Sequence, residues 1–182
     1  DRAGFEQRRT ASAAAGNLRG MGVTCFLETA RGANEEGAEV NFRPDGTIEL
    51  RLGTESNGQG HETAFSQIAA DTFGLPLETF HYIQADTSQT RAGNGHGGAR
   101  SMHMGGSALV AAMAAALAKA RPIAAQMLQA NADALEFAGG DFRVAGTEQT
   151  VSLLDVAAAA RDPNMTAGEG LDSYERREDA PF

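Results

Sequence analysis

A single cysteine, Cys25, stands in a chain of 182 residues, which excludes an internal disulfide framework and any cysteine-clustered zinc or iron–sulfur site. Positive charge is also short: 15 Lys and Arg face 24 Asp and Glu, a net charge of −9. Nucleic acid demands a basic footprint, so it is excluded as a partner. Large apolar side chains are scarce, because 42% of the residues are hydrophobic but 35 of them are alanine. Such a core is thin for this length, and part of something larger is expected. No apolar run comes near the roughly 20 residues that span a bilayer. The longest soft stretch, Val110 to Ala120, is mostly alanine and contains Lys119. No membrane association is expected. No signal peptide and no internal repeat are visible, and the chain opens at Asp1 rather than at a methionine. A processed or excised piece of a cytoplasmic protein is the expectation.

What is present reads as α+β. Asp1 to Gly20 is basic and alanine-rich, with a short helix that Gly16-Asn17 stops. Gly22 to Thr29 is β-branched and aromatic, a strand in which Cys25 is a buried filler. Gly32 to Gly37 is a polar loop. Glu39 to Phe42 and Thr47 to Leu52 alternate apolar with polar residues around Asp45-Gly46, a strong hairpin signal. One face carries Val40, Phe42, Ile48, Leu50 and Leu52, the other Asn41, Glu49 and Arg51.

A loop from Thr54 to Gly60 leads into a helix, His61 to Phe73, with Phe65, Ile68, Ala69 and Phe73 on one stripe and Gly74 as its stop. Phe80 to Ala85 is the next strand, so strand, helix and strand form a βαβ unit. Thr87 to Arg100 is a glycine-rich loop. Ser101 to about Phe137 is a long alanine-rich helical segment, kinked or divided at Pro122 and ended by Gly139-Gly140. Phe142 to Val144 is a short strand. Ser152 to Arg161 is a last helix, with Ser152 and Asp155 paired at its start. Asp162 to Phe182 is an extended polar tail. The fold expected is a hairpin and a βαβ sheet with helices packed on one side, within one domain-sized unit spanning 1–182.

Candidate chemistry sits where two glycine loops each open a helix: Ser56 to Gly60, and Gly95 to Ser101. Helix N-termini carry unpaired N–H groups and partial positive charge, and glycine lets backbone approach an anion closely. Phosphate or pyrophosphate is the usual guest. Neither loop ends in the Gly-Lys-Ser/Thr of nucleotide hydrolases, and neither is a full Gly-x-Gly-x-x-Gly, since Thr63 holds the last position. Gln59 either presents its amide to a heterocycle or metal-oxo group or caps its own loop. Arg100 either braces a phosphate or pairs with Asp86 or Glu62. His61, His81, His96 and His103 match no zinc-enzyme spacing, so no direct metal ligand is expected. Glu169 sits in a charged tail with no partner base, and no catalytic residue is assigned.

Thr54-Glu55-Ser56-Asn57-Gly58-Gln59-Gly60-His61-Glu62-Thr63, Gln67-Ile68-Ala69-Ala70, Gly74-Leu75-Pro76, Asp86-Thr87 and Gly97-Gly98-Ala99-Arg100-Ser101-Met102 through Gly105-Gly106 follow in that order. This series, over roughly 18–117, resembles the molybdenum-cofactor-binding large subunit of the xanthine dehydrogenase, aldehyde oxidase and carbon monoxide dehydrogenase family. The resemblance implies a lobe that helps hold a molybdopterin cofactor, in bacterial members often its cytosine dinucleotide. Carried over by position, Gln59 bonds near the molybdenum–pterin end, and Gly58 and Gly60 let the backbone approach. Gly98, Ala99, Arg100 and Ser101 offer amides and a hydroxyl to the pyrophosphate or pterin. Thr63 and Asp86 shape the loops. The implied partners are the remaining domains of the same subunit, iron–sulfur and FAD subunits, and a small-molecule substrate.

Two departures bear on activity. Ala99 replaces the serine of many relatives, so one hydroxyl contact is missing. The family's catalytic glutamate, which takes a proton as water-derived oxygen is inserted at carbon, lies in a Gly-x-Gly-Glu segment that this chain does not contain, and Gly168-Glu169-Gly170 is not that motif. The expected function is the cofactor grip of a molybdenum-dependent oxidoreductase, inactive in isolation. The alternative is an interaction module that keeps the fold without the cofactor.

Overall fold

The computed structural model describes residues 2–27, 35–84, 86–166 and 170–178. Helix α1, Phe5–Ala14, runs as expected and stops where Gly16 takes a φ of +76°. It buries none of its residues. Strands β1, Glu36–Phe42, and β2, Ile48–Leu52, form the expected hairpin, with Val40 opposite Leu50 and Phe42 opposite Ile48. Arg43 N–H donates to Thr47 O at 2.8 Å, and the Asp45 carboxylate accepts from Thr47 N–H at 3.0 Å. The five-residue loop between the paired ends is therefore held by its own backbone and one side chain.

Helix α2, His61–Phe73, crosses from β2 to β3, Phe80–Ile83, which pairs parallel to β2. The βαβ unit stands as read. A π-helical turn, Ser101–Gly105, continues into α3, Gly106–Leu128. Beyond it lie β4, Leu135–Ala138; β5, Asp141–Val144; β6, Thr150–Ser152; α4, Leu153–Ala159; α5, Pro163–Thr166; and β7, Ser173–Arg177. The main sheet has the order β3-β2-β1-β7, and β4-β5-β6 form a second, smaller sheet. Ala38, Val40, Phe42, Ile48, Leu50 and Leu52 are buried on the main sheet's apolar face, in one core with α2 and α3. Ala112, Ala116 and Ala120 recur every four residues on α3 and are fully buried, so small side chains bring this helix close to the sheet. The opposite face carries Glu49 between Arg43 and Arg51, at 2.6 and 2.7 Å. Burial acts to raise the Glu49 carboxyl, but the two guanidinium hydrogen bonds outweigh it and hold the group below its ordinary range.

Several expectations are corrected. Residues 22–27 form no strand and Cys25 is exposed; the remainder of that reading, Glu28 and Thr29, lies outside the described residues. β-Branched composition makes a strand only where a partner edge is available, and among the described residues none pairs with it. The long helix is not divided at Pro122, which sits within α3. It ends at Gln129 in the left-handed region, φ +51°, with Ala130 N–H donating to Ala125 O at 2.9 Å. Leu135 to Phe137 is strand, and Gly139-Gly140, at φ +60° and +87°, is the β4–β5 hairpin turn. Two successive positive φ values match the turn type that suits a strand's twist. Ser101–Leu128 is also long and apolar enough to cross a membrane by length and composition, although half of its most apolar window is buried inside the protein.

The tail is extended over β7, Ser173–Arg177, which pairs antiparallel to β1 with Glu175 opposite Ala38, but Pro163–Thr166 within it is the short helix α5. Its polar sequence hid the pairing, because an edge strand is held by backbone bonds and needs no apolar alternation. The α4 cap is as read: Ser152 Oγ accepts from Asp155 N–H at 3.1 Å. Glu169 lies outside the described residues.

Leu109 is fully buried on α3 against the sheet. Leu109→Ala should cost about 2–5 kcal/mol, read as a lower midpoint in urea-induced unfolding at unchanged slope.

Candidate functional site

β2 and β3 run parallel, so their C-terminal ends lie side by side, and each runs into one of the glycine loops. Loop 53–60 leaves β2 and enters α2, while loop 86–100 leaves β3 and enters the turn that begins α3. The crevice beyond the carboxyl ends of parallel strands is where open α/β sheets bind ligands. Here it is a cleft of about 330 Å³ lined by Gln59, His61, Ala64, His96, Ala99, Ser101 and Met102. Both loops face one space.

Specific bonds hold them there. Tyr82 on β3 donates its hydroxyl to Thr54 O at 3.0 Å, and Gln84 accepts from Ser56 N–H. Burial, with a smaller contribution from the Glu36 charge, raises the Tyr82 hydroxyl well above its ordinary pKa, so it stays a donor. Thr54 Oγ1 and Ser101 Oγ share a buried hydrogen bond at 2.6 Å, tying the first loop to the second helix. Asn57 meets His96 Nε2 at 3.3 Å, and His96 Nδ1 lies 3.5 Å from Glu55. Asp86 binds Ser88 N–H at 2.9 Å and the Ser88 hydroxyl, bonds that lower its pKa and shape the second loop, as expected.

The backbone leaves room for a guest. Gly58, Gly60 and Gly95 have φ of +117°, +80° and +69°, and a Cβ added at any of them meets nothing within 4 Å. Gly98 lies at φ +86°. Gly60 caps α2 without a side-chain bond, and Arg100 likewise starts the following turn. Ala99 is at φ +48°, a conformation that L-residues other than Gly and Asn avoid. Strain of this kind persists where its surroundings over-determine the backbone.

The side chains named from the sequence divide. Gln59 lines the cleft, yet its carboxamide folds back on its own loop: Oε1 accepts from Asn57 N–H at 2.7 Å and Nε2 donates to Glu55 O at 3.2 Å. That is the capping alternative. Ser101 lines the cleft with its hydroxyl engaged by Thr54. The Arg100 side chain is fully buried in an ion pair with Glu36, a partner other than Asp86 or Glu62, and that carboxylate offsets a guanidinium that is out of water. Sequence reading placed Glu36 in a loop. The signal was there: counting back by twos from Phe42 and Val40 through Ala38 puts Glu36 on the buried face.

His61, His96 and Met102 were not assigned to the site. His61 is buried, with no hydrogen-bond partner at Nδ1 among the described residues, and burial followed by the nearby His96 lowers its pKa. The unfolded chain therefore binds more protons here, so the stability His61 contributes is full above about pH 6.5 and is lost as pH falls toward its lower folded pKa. His61→Gln should lose less stability than the parent as pH falls below the ordinary imidazole range, measured by urea unfolding at pH 7 and pH 5.5. Ala99→Gly should gain about 1 kcal/mol by relieving the left-handed alanine, read as a higher thermal midpoint.

Comparisons with known proteins give the family and the fold. Residues 1–181 match the family described as the molybdopterin cofactor-binding domain, and the chain belongs to it. It is 35% identical over 148 residues to the 6-hydroxypseudooxynicotine dehydrogenase complex subunit gamma of Paenarthrobacter nicotinovorans, covering 81% of this chain and 18% of that one. It is 32% identical over 169 residues to the carbon monoxide dehydrogenase large chain of Hydrogenophaga pseudoflava, covering 86% and 21%. A solved structure of reconstituted CO dehydrogenase from Oligotropha carboxidovorans superposes with a TM-score of 0.77 at 30% identity, over 98% of this chain and 25% of that one. The chain thus spans about a fifth of the length of these curated relatives, which are named as dehydrogenase subunits.

Proposed function

We propose that this chain forms the cofactor-cradling lobe of a molybdenum hydroxylase, holding a molybdopterin cofactor in its cytosine-dinucleotide form between the loops 56–60 and 95–101. The observation that carries this reading is the convergence of Gln59, Ala99 and Ser101 on one cleft, from loops more than 30 residues apart in sequence. Open space in front of Gly58, Gly60 and Gly95 fits the close approach of a pterin or pyrophosphate. The cleft volume lies in the range of small-ligand sites. On a chain of net charge −9, anion binding rests on local amides and two helix starts rather than on overall charge.

In this assignment Gly58 and Gly60 admit the cofactor, and Gln59 exchanges its bond within the loop for one to the pterin end. The backbone from Gly98 to Ser101 holds the phosphates. Arg100 contributes its N–H and not its side chain. The bound molybdenum group supplies the redox chemistry at a carbon centre, and this chain's residues bind and orient it. The remaining domains of the subunit, iron–sulfur and FAD subunits, and a small-molecule substrate complete the enzyme. The subunit names of the relatives, gamma and large chain, support an assembly of this kind.

The test uses the full-length subunit in its complex, with Gly98→Val and Gln59→Ala, followed by molybdenum analysis and measurement of cytidine monophosphate released by acid. Both contents should fall by about tenfold or more, the scale of losing roughly 1.4 kcal/mol or more of binding. Unchanged contents in folded variants would overturn the reading and leave an interaction module.

A further inference from the structure

We propose that Arg100 is a positioning residue for the second glycine loop: locked by Glu36, its guanidinium fixes the backbone of Gly95 to Ala99 so that this segment faces the cleft. The inference rests on the cofactor reading above and adds a residue that reading does not use through its side chain. Arg100 and Glu36 are 64 positions apart and are the ends of a fully buried ion pair. Glu36 is itself oriented, since its Oε1 accepts from Gly37 N–H at 3.0 Å. Two further guanidinium bonds go to backbone: Nη1 donates to Gly95 O at 2.8 Å and Nη2 donates to Glu35 O. One planar fork therefore joins the start of β1 to the start of the loop segment that lines the cleft.

A second clamp sits beside it. Gly53, at the end of β2, and Gly93 are in backbone contact: a Cβ at Gly53 would lie 2.1 Å from Ala92 O and 2.3 Å from Glu36 Oε1. The loop is thus pressed onto the strand end at Gly93 and tied at Gly95, and it re-enters helical structure at Ser101. Between these fixed points lie Gly95, Gly98 and Ala99, all at positive φ. An alanine stays in that region only when its neighbours hold it there, and the adjacent residue is the buried Arg100. Lysine cannot reproduce the device. A single ammonium can pair with Glu36, but it lacks the preset fork that reaches a carboxylate and two carbonyls at once.

The experiment compares Arg100→Lys, the uncharged pair Glu36→Gln/Arg100→Gln, and Gly98→Val in the full-length subunit and its complex. Molybdenum and cytidine monophosphate contents after gel filtration are read alongside the thermal unfolding midpoint. Arg100→Lys keeps the buried charge pair, so its midpoint should stay near the parent value while cofactor retention drops about 10- to 100-fold, the scale seen when an outer-shell partner is removed. Should it fail to fold, the uncharged pair, which buries no ion, carries the same comparison. Parent-level cofactor content in the folded variant overturns the proposal. So does a loss of cofactor that tracks the loss of midpoint across the variants, because a purely structural arginine would move both together. If Gly98→Val loses the cofactor while both Arg100 variants keep it, the positioning role alone falls. If Gly98→Val also keeps it, the cofactor reading falls first.

Discussion

The parallel pairing of β2 with β3 is the constraint from which the site follows. Ile48 lies opposite Phe80 and Leu50 opposite Tyr82, so the two strands end together and deliver both glycine loops to one edge of the sheet. An antiparallel neighbour would send the second loop to the far end. The pairing exists because α2 closes the crossover, burying Phe65, Ala69 and Phe73 over the sheet and ending at Gly74 in the left-handed region. Tyr82 and Gln84 then turn the strand into a scaffold, each bonding the backbone of the neighbouring loop.

On this frame, polar groups are placed where burial makes them decisive. Thr54 and Ser101 bind each other out of water, and Glu36 and Arg100 bury opposite charges against one another. A buried ion pair gives little net stability, but removing one partner is costly, so such pairs specify a geometry more than they strengthen a fold. What is specified here is the path of the backbone from Gly93 to Ser101. Ala99 at positive φ shows the same loop held in a conformation it would not choose unaided.

Much of this was legible in the residues. The alternation around Asp45-Gly46 gave the hairpin, and the stripe of Phe65, Ile68, Ala69 and Phe73 gave α2; both loops were found by their glycines at helix starts. Periodicity failed in two ways. Leu135 to Phe137 follows an alanine-rich helix closely enough to read as its continuation, although it pairs with the adjacent β5, and β7 pairs with a β1 that lies more than 130 positions earlier, through backbone bonds that leave no apolar rhythm. Gly139-Gly140 reads equally as a helix stop or a hairpin turn, and only the strand on either side decides. Arg100 reads as a phosphate ligand or as a partner of Asp86 or Glu62, because Glu36 lies 64 residues earlier in a stretch that reads as polar loop. The motif series carried the family correctly, and membership in the molybdopterin cofactor-binding domain family follows from the match over 1–181.

The central claim is that two loops grip one ligand. Hydrogen–deuterium exchange on the full-length subunit, with and without its molybdenum cofactor, reads both loops in one measurement. The account predicts that amides in 57–60 and 97–101 gain protection together on loading, while α1 does not change. Protection confined to one loop, or absent from both in a fully loaded subunit, would contradict it.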